Sequence, residues 1–177
     1  MSEISNPRIQ IYFHSEAGQE TPVAELELFQ DIAPRHVQRV IELAREGYYD
    51  NCSFHRVVDG HVAQWGSWQD DGLGESGKGK LQAELSDIPF DRGVLGMARD
   101  LADIDSGDCQ LFVCLDARHR LNGMFTVLGK VVSGMEYFDQ LTRISVTEKE
   151  SDTLDMADQI SRIEVVEGPK LEAVLQQ

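Results

Sequence analysis

Apolar and polar side chains alternate along the first part of the chain. Residues 8–14 (Arg-Ile-Gln-Ile-Tyr-Phe-His) alternate, and so do residues 23–29, with Ala24, Leu26 and Leu28 on one face and Glu25 and Glu27 on the other. A period of two marks half-buried strands, and the intervening loop with Gly18 and Pro22 predicts a hairpin. The period then changes. Val37, Val40, Ile41 and Ala44 recur at i, i+3, i+4 and i+7 between Pro34 and Gly47. That spacing predicts an amphipathic helix, opened by a proline whose fixed φ suits the first turn and ended by glycine. Its other face, Arg35, Gln38, Arg39, Glu42 and Arg45, is expected to be solvated.

Two short apolar runs then flank Asp59-Gly60, which reads as strand, tight turn, strand. Further strands are expected at 81–85, 93–98, 110–115, 125–132 and 160–166, separated by polar loops at 69–79, 100–108, 118–124 and 145–158. Ser133 as N-cap with Glu136 three residues on predicts a short second helix, marked by Met135, Phe138 and Leu141/Thr142. Gly168-Pro169 stops the last strand, and residues 170–177 have the character of a helical fragment. No internal repeat or boundary interrupts the pattern, so one domain spanning 1–177 is expected, with its core at about 8–166 and a tail at 167–177. Many short strands with two helices predict an all-β fold, a closed barrel with helical caps. Periodicity alone leaves a sandwich open.

Composition narrows the partners. The 177 residues carry a formal net charge of -15, which argues against nucleic acid and anionic membranes. Three cysteines, Cys52, Cys109 and Cys114, lack CxxC spacing and form neither a disulfide framework nor a zinc site. Cys109 and Cys114 are read as lying on one strand with their thiols on opposite faces. A reducing, cytoplasmic setting is the simplest inference, since no cationic leader or membrane-length apolar run is visible.

Little chemistry announces itself by composition. The glycines at 72–79 have neither Walker spacing nor a following apolar helix, so they are not a phosphate cradle. Arg56, between Phe54 and Val57-Val58, is either a surface residue of a strand or a functional guanidinium beside an apolar pocket; alternation alone favours the former. Likewise Val62, Phe112 and Leu121 alone read as packing residues, and Gln64 and Gln110 as solvated ones.

Four blocks in order change that weighting. Phe54-His-Arg-Val57 with Gly60 and Gln64, Gly93-Val-Leu-Gly-Met-Ala98, Cys109-Gln-Leu-Phe-Val113, and Leu121-Asn-Gly123 with its following strand together resemble the cyclophilin-type peptidyl-prolyl isomerases over residues 8–166. The resemblance implies an eight-stranded antiparallel closed barrel capped by two helices, with the site on its outer face. It implies isomerisation of X-Pro bonds in proline-containing polypeptides, assisting folding, by a monomer without metal or cofactor. Arg56 takes the catalytic position. His61, Val62, Gln64, Ala98, Arg99, Gln110, Phe112, Leu121 and Phe125 take the substrate-binding positions, Phe112 as pocket floor and Ala98-Arg99 through main-chain atoms. The alternative is a cyclophilin-like peptide-binding or scaffold module with weakened catalysis.

Several positions depart from the family pattern. His61 replaces a phenylalanine of the pocket wall, Trp65 a glycine and Ser67 an aspartate, Arg120 stands where some members have tryptophan, and Phe125 replaces histidine or tyrosine. His36, Arg39 and Val40 likewise alter the inner packing of the first helix. His61, close to Arg56, is expected to titrate below a free histidine, with activity falling through the weakly acidic range.

Overall fold

The structure, a computed structural model, describes residues 5–67, 74–144 and 156–166. The N-terminal hairpin forms as its alternation dictates: β1 (Arg8–Phe13) pairs antiparallel with β2 (Val23–Leu28), burying Ile9, Ile11, Phe13, Ala24, Leu26 and Leu28. Then come α1 (Pro34–Arg45), β3 (Arg56–Val57), β4 (Val62–Trp65), β5 (Val94–Met97), β6 (Leu111–Cys114), β7 (Val127–Ser133), α2 (Met135–Asp139) and β8 (Ile160–Val166). The strands make one eight-stranded sheet in the order β3-β4-β6-β5-β7-β2-β1-β8, with every ladder antiparallel.

The sheet curls, but no ladder joins its two end strands. The expected closed barrel is therefore reduced to a curled sheet. β3 is only two residues long, and the chain before it meets the start of β8 through the isolated bridge Ser53–Gln159, with Phe54 N–H donating to Asp158 O at 2.9 Å. The inner face, with α1 and α2, holds the main core, including Trp65, Phe54 and Phe138. A smaller apolar cluster, Val62, Phe90, Val94, Phe112, Cys114 and Val127, lies apart from it.

Other expectations need correction. Residues 81–85 make only the isolated bridge Leu81–Gly107. Their N–H groups turn to side chains instead: Ala83 donates to Asp105 Oδ1 at 2.9 Å and Glu84 to Thr126 Oγ1 at 2.9 Å. Glu84 in turn caps α1, accepting the His36 N–H at 2.9 Å, where the flanking Ala33 has no side chain to do so. Ser133 is the last residue of β7; the cap position of α2 is Gly134 at φ 85°, without a side-chain cap, and the helix ends at Asp139. Arg39 is not solvated. It is 9% exposed and donates to Asp108 Oδ1 and Gly79 O, both at 2.8 Å. Gly107–Asp108 packs over the helix at His36 and Arg39, so this part of the polar face becomes interior.

Cys109 precedes β6 and lies in the main core, whereas Cys114 lies in the smaller cluster; all three cysteines are buried. The expectations for residues 69–73, 145–155, 168–169 and 170–177 lie outside the described residues.

Candidate functional site

Register aligns the central residues. Arg56 pairs with Gln64 across β3–β4, and Gln64 with Phe112 across β4–β6. Asp59-Gly60, with Gly60 at φ 64°, makes the tight connection that sets this pairing. Alternation then sends Ala63, Trp65, Leu111 and Val113 into the main core and leaves Val62, Gln64, Phe112 and Cys114 on the other face.

On that face is a concavity of about 320 Å³. Phe112 and Val62 lie at its base, with Leu121 and Phe125 as further apolar walls. Phe112 is stacked on Phe90 at 5.6 Å between ring centroids and meets the edge of Phe125 at 5.9 Å. Arg56, His61 and Gln64 border it from β3–β4 and their turn, and Ala98, Arg99 and Leu101 from the end of β5 and its loop. Nine of the ten site residues named from the sequence thus line one pocket; Gln110 does not.

Gln110 connects through Gln64. The Gln64 Nε2 donates to Gln110 Oε1 at 3.0 Å, and Arg56 Nη1 donates to Gln64 Oε1 at 3.5 Å. Gln110 Nε2 donates to Gly74 O at 3.4 Å. The loop bearing Gly74 is fixed by Asp108, which accepts the Ser76 N–H at 2.7 Å and holds Arg39. A hydrogen-bonded chain therefore runs from the pocket guanidinium to the buried face of α1.

Arg99 fixes the opposite wall. Its Nε and Nη2 donate to Met124 O at 3.0 and 2.8 Å, its Nη1 to Asp100 O at 2.9 Å, and its Cζ lies 4.4 Å from the Phe125 ring centroid. The side chain ties together two loops, a function that main-chain recognition alone would not give it.

Two residues near the pocket were not foreseen. Leu101, 86% exposed, lines it from an acidic loop whose composition gives no sign of an apolar contact. Arg118 enters through electrostatics. Burial first, then Arg118 and then Arg56, pushes the His61 pKa down to about 4. Burial and Arg118 also draw the half-buried Arg56 below its ordinary value; a guanidinium keeps its charge at neutral pH. The low titration expected of His61 is thus present, and it lies below the weakly acidic range.

Trp65 is fully buried against Phe54 and Phe138, so it takes no part in the pocket. His55 is also buried and does not line it. Among the described residues no group of three or more His, Cys, Asp or Glu side chains is placed to hold a metal ion, and no helix is long and apolar enough to cross a membrane.

The sequence model of the family described as cyclophilin type peptidyl-prolyl cis-trans isomerase/CLD matches residues 19–165. The chain belongs to this family. A cyclophilin relative named probable peptidyl-prolyl cis-trans isomerase, from Brucella suis, is 41% identical over 134 residues, covering 70% of this chain and 68% of that protein. Peptidyl-prolyl cis-trans isomerase B of Bacillus subtilis is 39% identical over 127 residues, covering 71% of this chain and 85% of its own. The fold is that of the Cryptosporidium parvum cyclophilin type peptidyl-prolyl cis-trans isomerase, whose crystal structure superposes with a TM-score of 0.76 at 24% identity, over 93% of this chain and 99% of that one.

Proposed function

We propose that this cyclophilin performs its family's reaction, cis-trans isomerisation of X-Pro bonds, in the pocket floored by Phe112, with Arg56 as the catalytic residue. The observation that carries the reading is the meeting of a charged guanidinium and an aromatic-floored concavity across adjacent strands.

The reaction needs little else. The amide barrier is about 18–20 kcal/mol because rotation destroys resonance. No covalent bond breaks. At the twisted geometry the prolyl nitrogen becomes pyramidal and its lone pair becomes available to a donor. Phe112, Val62, Leu121 and Phe125 would hold the ring while Arg56 donates to that nitrogen. Gln64 orients Arg56 and Gln110 orients Gln64. Shortening a relaxation of tens of seconds to milliseconds requires about 5.5 kcal/mol of preferential stabilisation. One charge-assisted bond supplies about 1.5–3 kcal/mol, so ring positioning and exclusion of water supply the remainder. A partly buried Arg56 strengthens its share, since its side-chain acceptor among the described residues is a neutral amide.

The reading extends to proline-containing segments of other proteins as substrates, to a role in folding, and to a cytoplasmic setting, which three sparse cysteines without framework spacing favour. The reading takes the enzyme as a monomer, since a single chain brings Arg56, Gln64 and Phe112 together at one pocket. The sheet itself is read as a barrel whose last gap is bridged at Ser53–Gln159. The net charge of -15 disfavours nucleic acid and anionic membranes as partners.

Exchange NMR on an Ala-Pro peptide tests the assignment. Wild type is expected to accelerate exchange, and Arg56→Ala to lose at least about 10-fold in kcat/KM, the lower end of the value of a charged donor. Equal rates in the two folded proteins would remove Arg56 from the mechanism.

A further inference from the structure

The arginines of this chain fall into two sets. Away from the pocket, Arg8, Arg39, Arg92, Arg143 and Arg162 pair with Glu25, Asp108, Asp139, Asp59 and Glu164. Arg56 and Arg99, which line the pocket, donate to neutral oxygens, and Arg118 and the exposed Arg120, on the segment that leads to the pocket residue Leu121, make no side-chain hydrogen bond or ion pair among the described residues. Only Arg35 and Arg45, exposed on α1, share that condition among the other arginines. Composition makes this notable: acidic residues number 31 against 16 basic ones. Carboxylates on the same segments have other partners: Asp59, nearest to Arg56 in sequence, pairs with Arg143 at 3.0 Å. Asp116 accepts the Ala117 N–H at 2.8 Å, Asp100 the Ala102 N–H at 2.9 Å, and Asp91 faces His119 at 2.7 Å.

Arg118 follows a segment that is bonded to His61. β4 and β6 bring Val62 opposite Cys114, and the Leu115 N–H donates to His61 O at 2.8 Å. Three residues on, the Arg118 N–H donates to Phe90 O at 2.7 Å, fixing the backbone next to the aromatic floor. Its Nε is buried and has no hydrogen-bond partner among the described residues. A buried guanidinium donor without an acceptor is costly, and two like charges beside one pocket raise that cost.

We propose that Arg118 is a specificity residue: it forms, on the His61 side of the pocket, a subsite for a carboxylate, so that the enzyme prefers proline segments with an aspartate or glutamate adjacent to the proline. The inference rests on the pocket being the prolyl site. A carboxylate there would accept from the Arg118 fork and relieve its repulsion with Arg56, leaving Arg56 for the amide. The overall negative charge does not oppose this at contact range, because at physiological ionic strength fields are screened beyond about 8 Å.

Exchange NMR with the full chain tests it, using matched peptides that carry Glu, Gln or Lys either immediately before or immediately after proline. Wild type is expected to favour Glu over Gln about 10-fold in kcat/KM at one of the two positions, with Lys below Gln. Arg118→Gln is expected to bring the Glu-to-Gln ratio to about 1, Arg118→Lys to retain part of it, and Arg120→Gln to leave it unchanged. The ratio is taken within each protein, so a general loss of activity or stability cancels. A wild-type ratio of about 1 or less, or an unchanged ratio in Arg118→Gln, overturns the subsite while leaving the prolyl site standing. A folded wild-type protein inactive on every peptide overturns the prolyl-site reading and the subsite with it.

Discussion

Gln64 gives its amide group to Gln110 at 3.0 Å and turns its carbonyl oxygen to Arg56 at 3.5 Å. The direction of the first bond decides the second: with Nε2 engaged, only Oε1 remains for the guanidinium. Arg56 is thereby oriented without being neutralised. Gln64→Glu would set a carboxylate against Arg56 and lose the donor to Gln110, forming an ion pair in competition with the substrate amide. It is expected to lower kcat by about 10–100-fold, and Gln110→Ala, which only loosens the orientation, by less than about 10-fold. Separate kcat and KM values check this. Equal kcat for Gln64→Glu and wild type would mean that Arg56 does not act through its free charge.

His61 should be silent over the range in which most histidines titrate. Its pKa of about 4 means that the wall stays neutral at pH 5–8, so His61 contributes no fall of activity there. The fall moves to near pH 4, where the imidazolium would face apolar surface and Arg118. Stability follows a different window. Because the folded pKa lies below the unfolded value of 6.5, the neutral form is favoured by folding, and that contribution is lost as pH falls from 6.5 towards 4. His36, buried beside Glu84 and lowered chiefly by that burial, acts in the same direction. His61→Phe is expected to flatten part of the decline in urea midpoint between pH 7 and pH 5 without changing the shape of the activity profile at pH 5–8. An inflection near pH 6.5 that His61→Phe removes would contradict the burial of this wall.

Arg39 and Asp108 form an ion pair whose side chains are 10% and 14% exposed. Removing one member leaves the other without its counter-charge in a low-dielectric setting, which costs about 3–5 kcal/mol in a fully buried pair and about 2–3 kcal/mol where some solvent remains. Arg39→Met is therefore expected to lower Tm by about 4–12 °C for a chain of this size. The same change frees the Ser76 loop whose Gly74 carbonyl steadies Gln110, so kcat/KM should fall as well, by less than in Gln110→Ala. Calorimetry and the exchange assay read the two effects separately. A stable variant with reduced activity would show that the pair serves the loop alone.

The strands with one buried face, β1, β2 and β8, were legible because alternation is enforced wherever one face is buried. Helix α1 was legible for the same reason at period 3.6. Arg39 was misread on it: its partner lies 69 residues away, and nothing local distinguishes an arginine facing water from one facing Asp108. Residues 81–85 look like a strand by composition, but their N–H groups find Asp105 and Thr126 before a neighbouring strand. The pocket residues were legible through family resemblance, since Phe112 and Val62 are ordinary apolar strand residues until register puts them beside Arg56. Arg118 and Leu101 were not, because their proximity to the pocket is created by the fold of two irregular loops.

The floor of the pocket depends on the absence of one methyl group. Gly96, on β5 opposite Phe112 of β6, has a backbone conformation that other residues adopt, so flexibility does not explain it. Space does. A Cβ at Gly96 would fall inside van der Waals contact with the Phe112 ring and 2.8 Å from Phe90 Cε1. Two stacked rings lie over the bare strand, and neither can yield into the sheet. Phe90 is fully buried, and only Phe112 borders an open space. Gly96→Ala should therefore push the Phe112 ring into the concavity, narrowing the seat of the prolyl ring and disturbing its edge contact with Phe125. Overpacking of this kind costs about 1–3 kcal/mol of stability. The larger consequence is expected in KM, rising about 10-fold because the ring seat serves ground state and transition state alike, with kcat changed by less. Gly96→Ala combined with Phe112→Leu should recover stability, since the shorter side chain makes room, but not the KM. Measuring both variants by calorimetry and exchange NMR separates the two effects. An unchanged KM in folded Gly96→Ala would mean that the prolyl ring does not sit on Phe112.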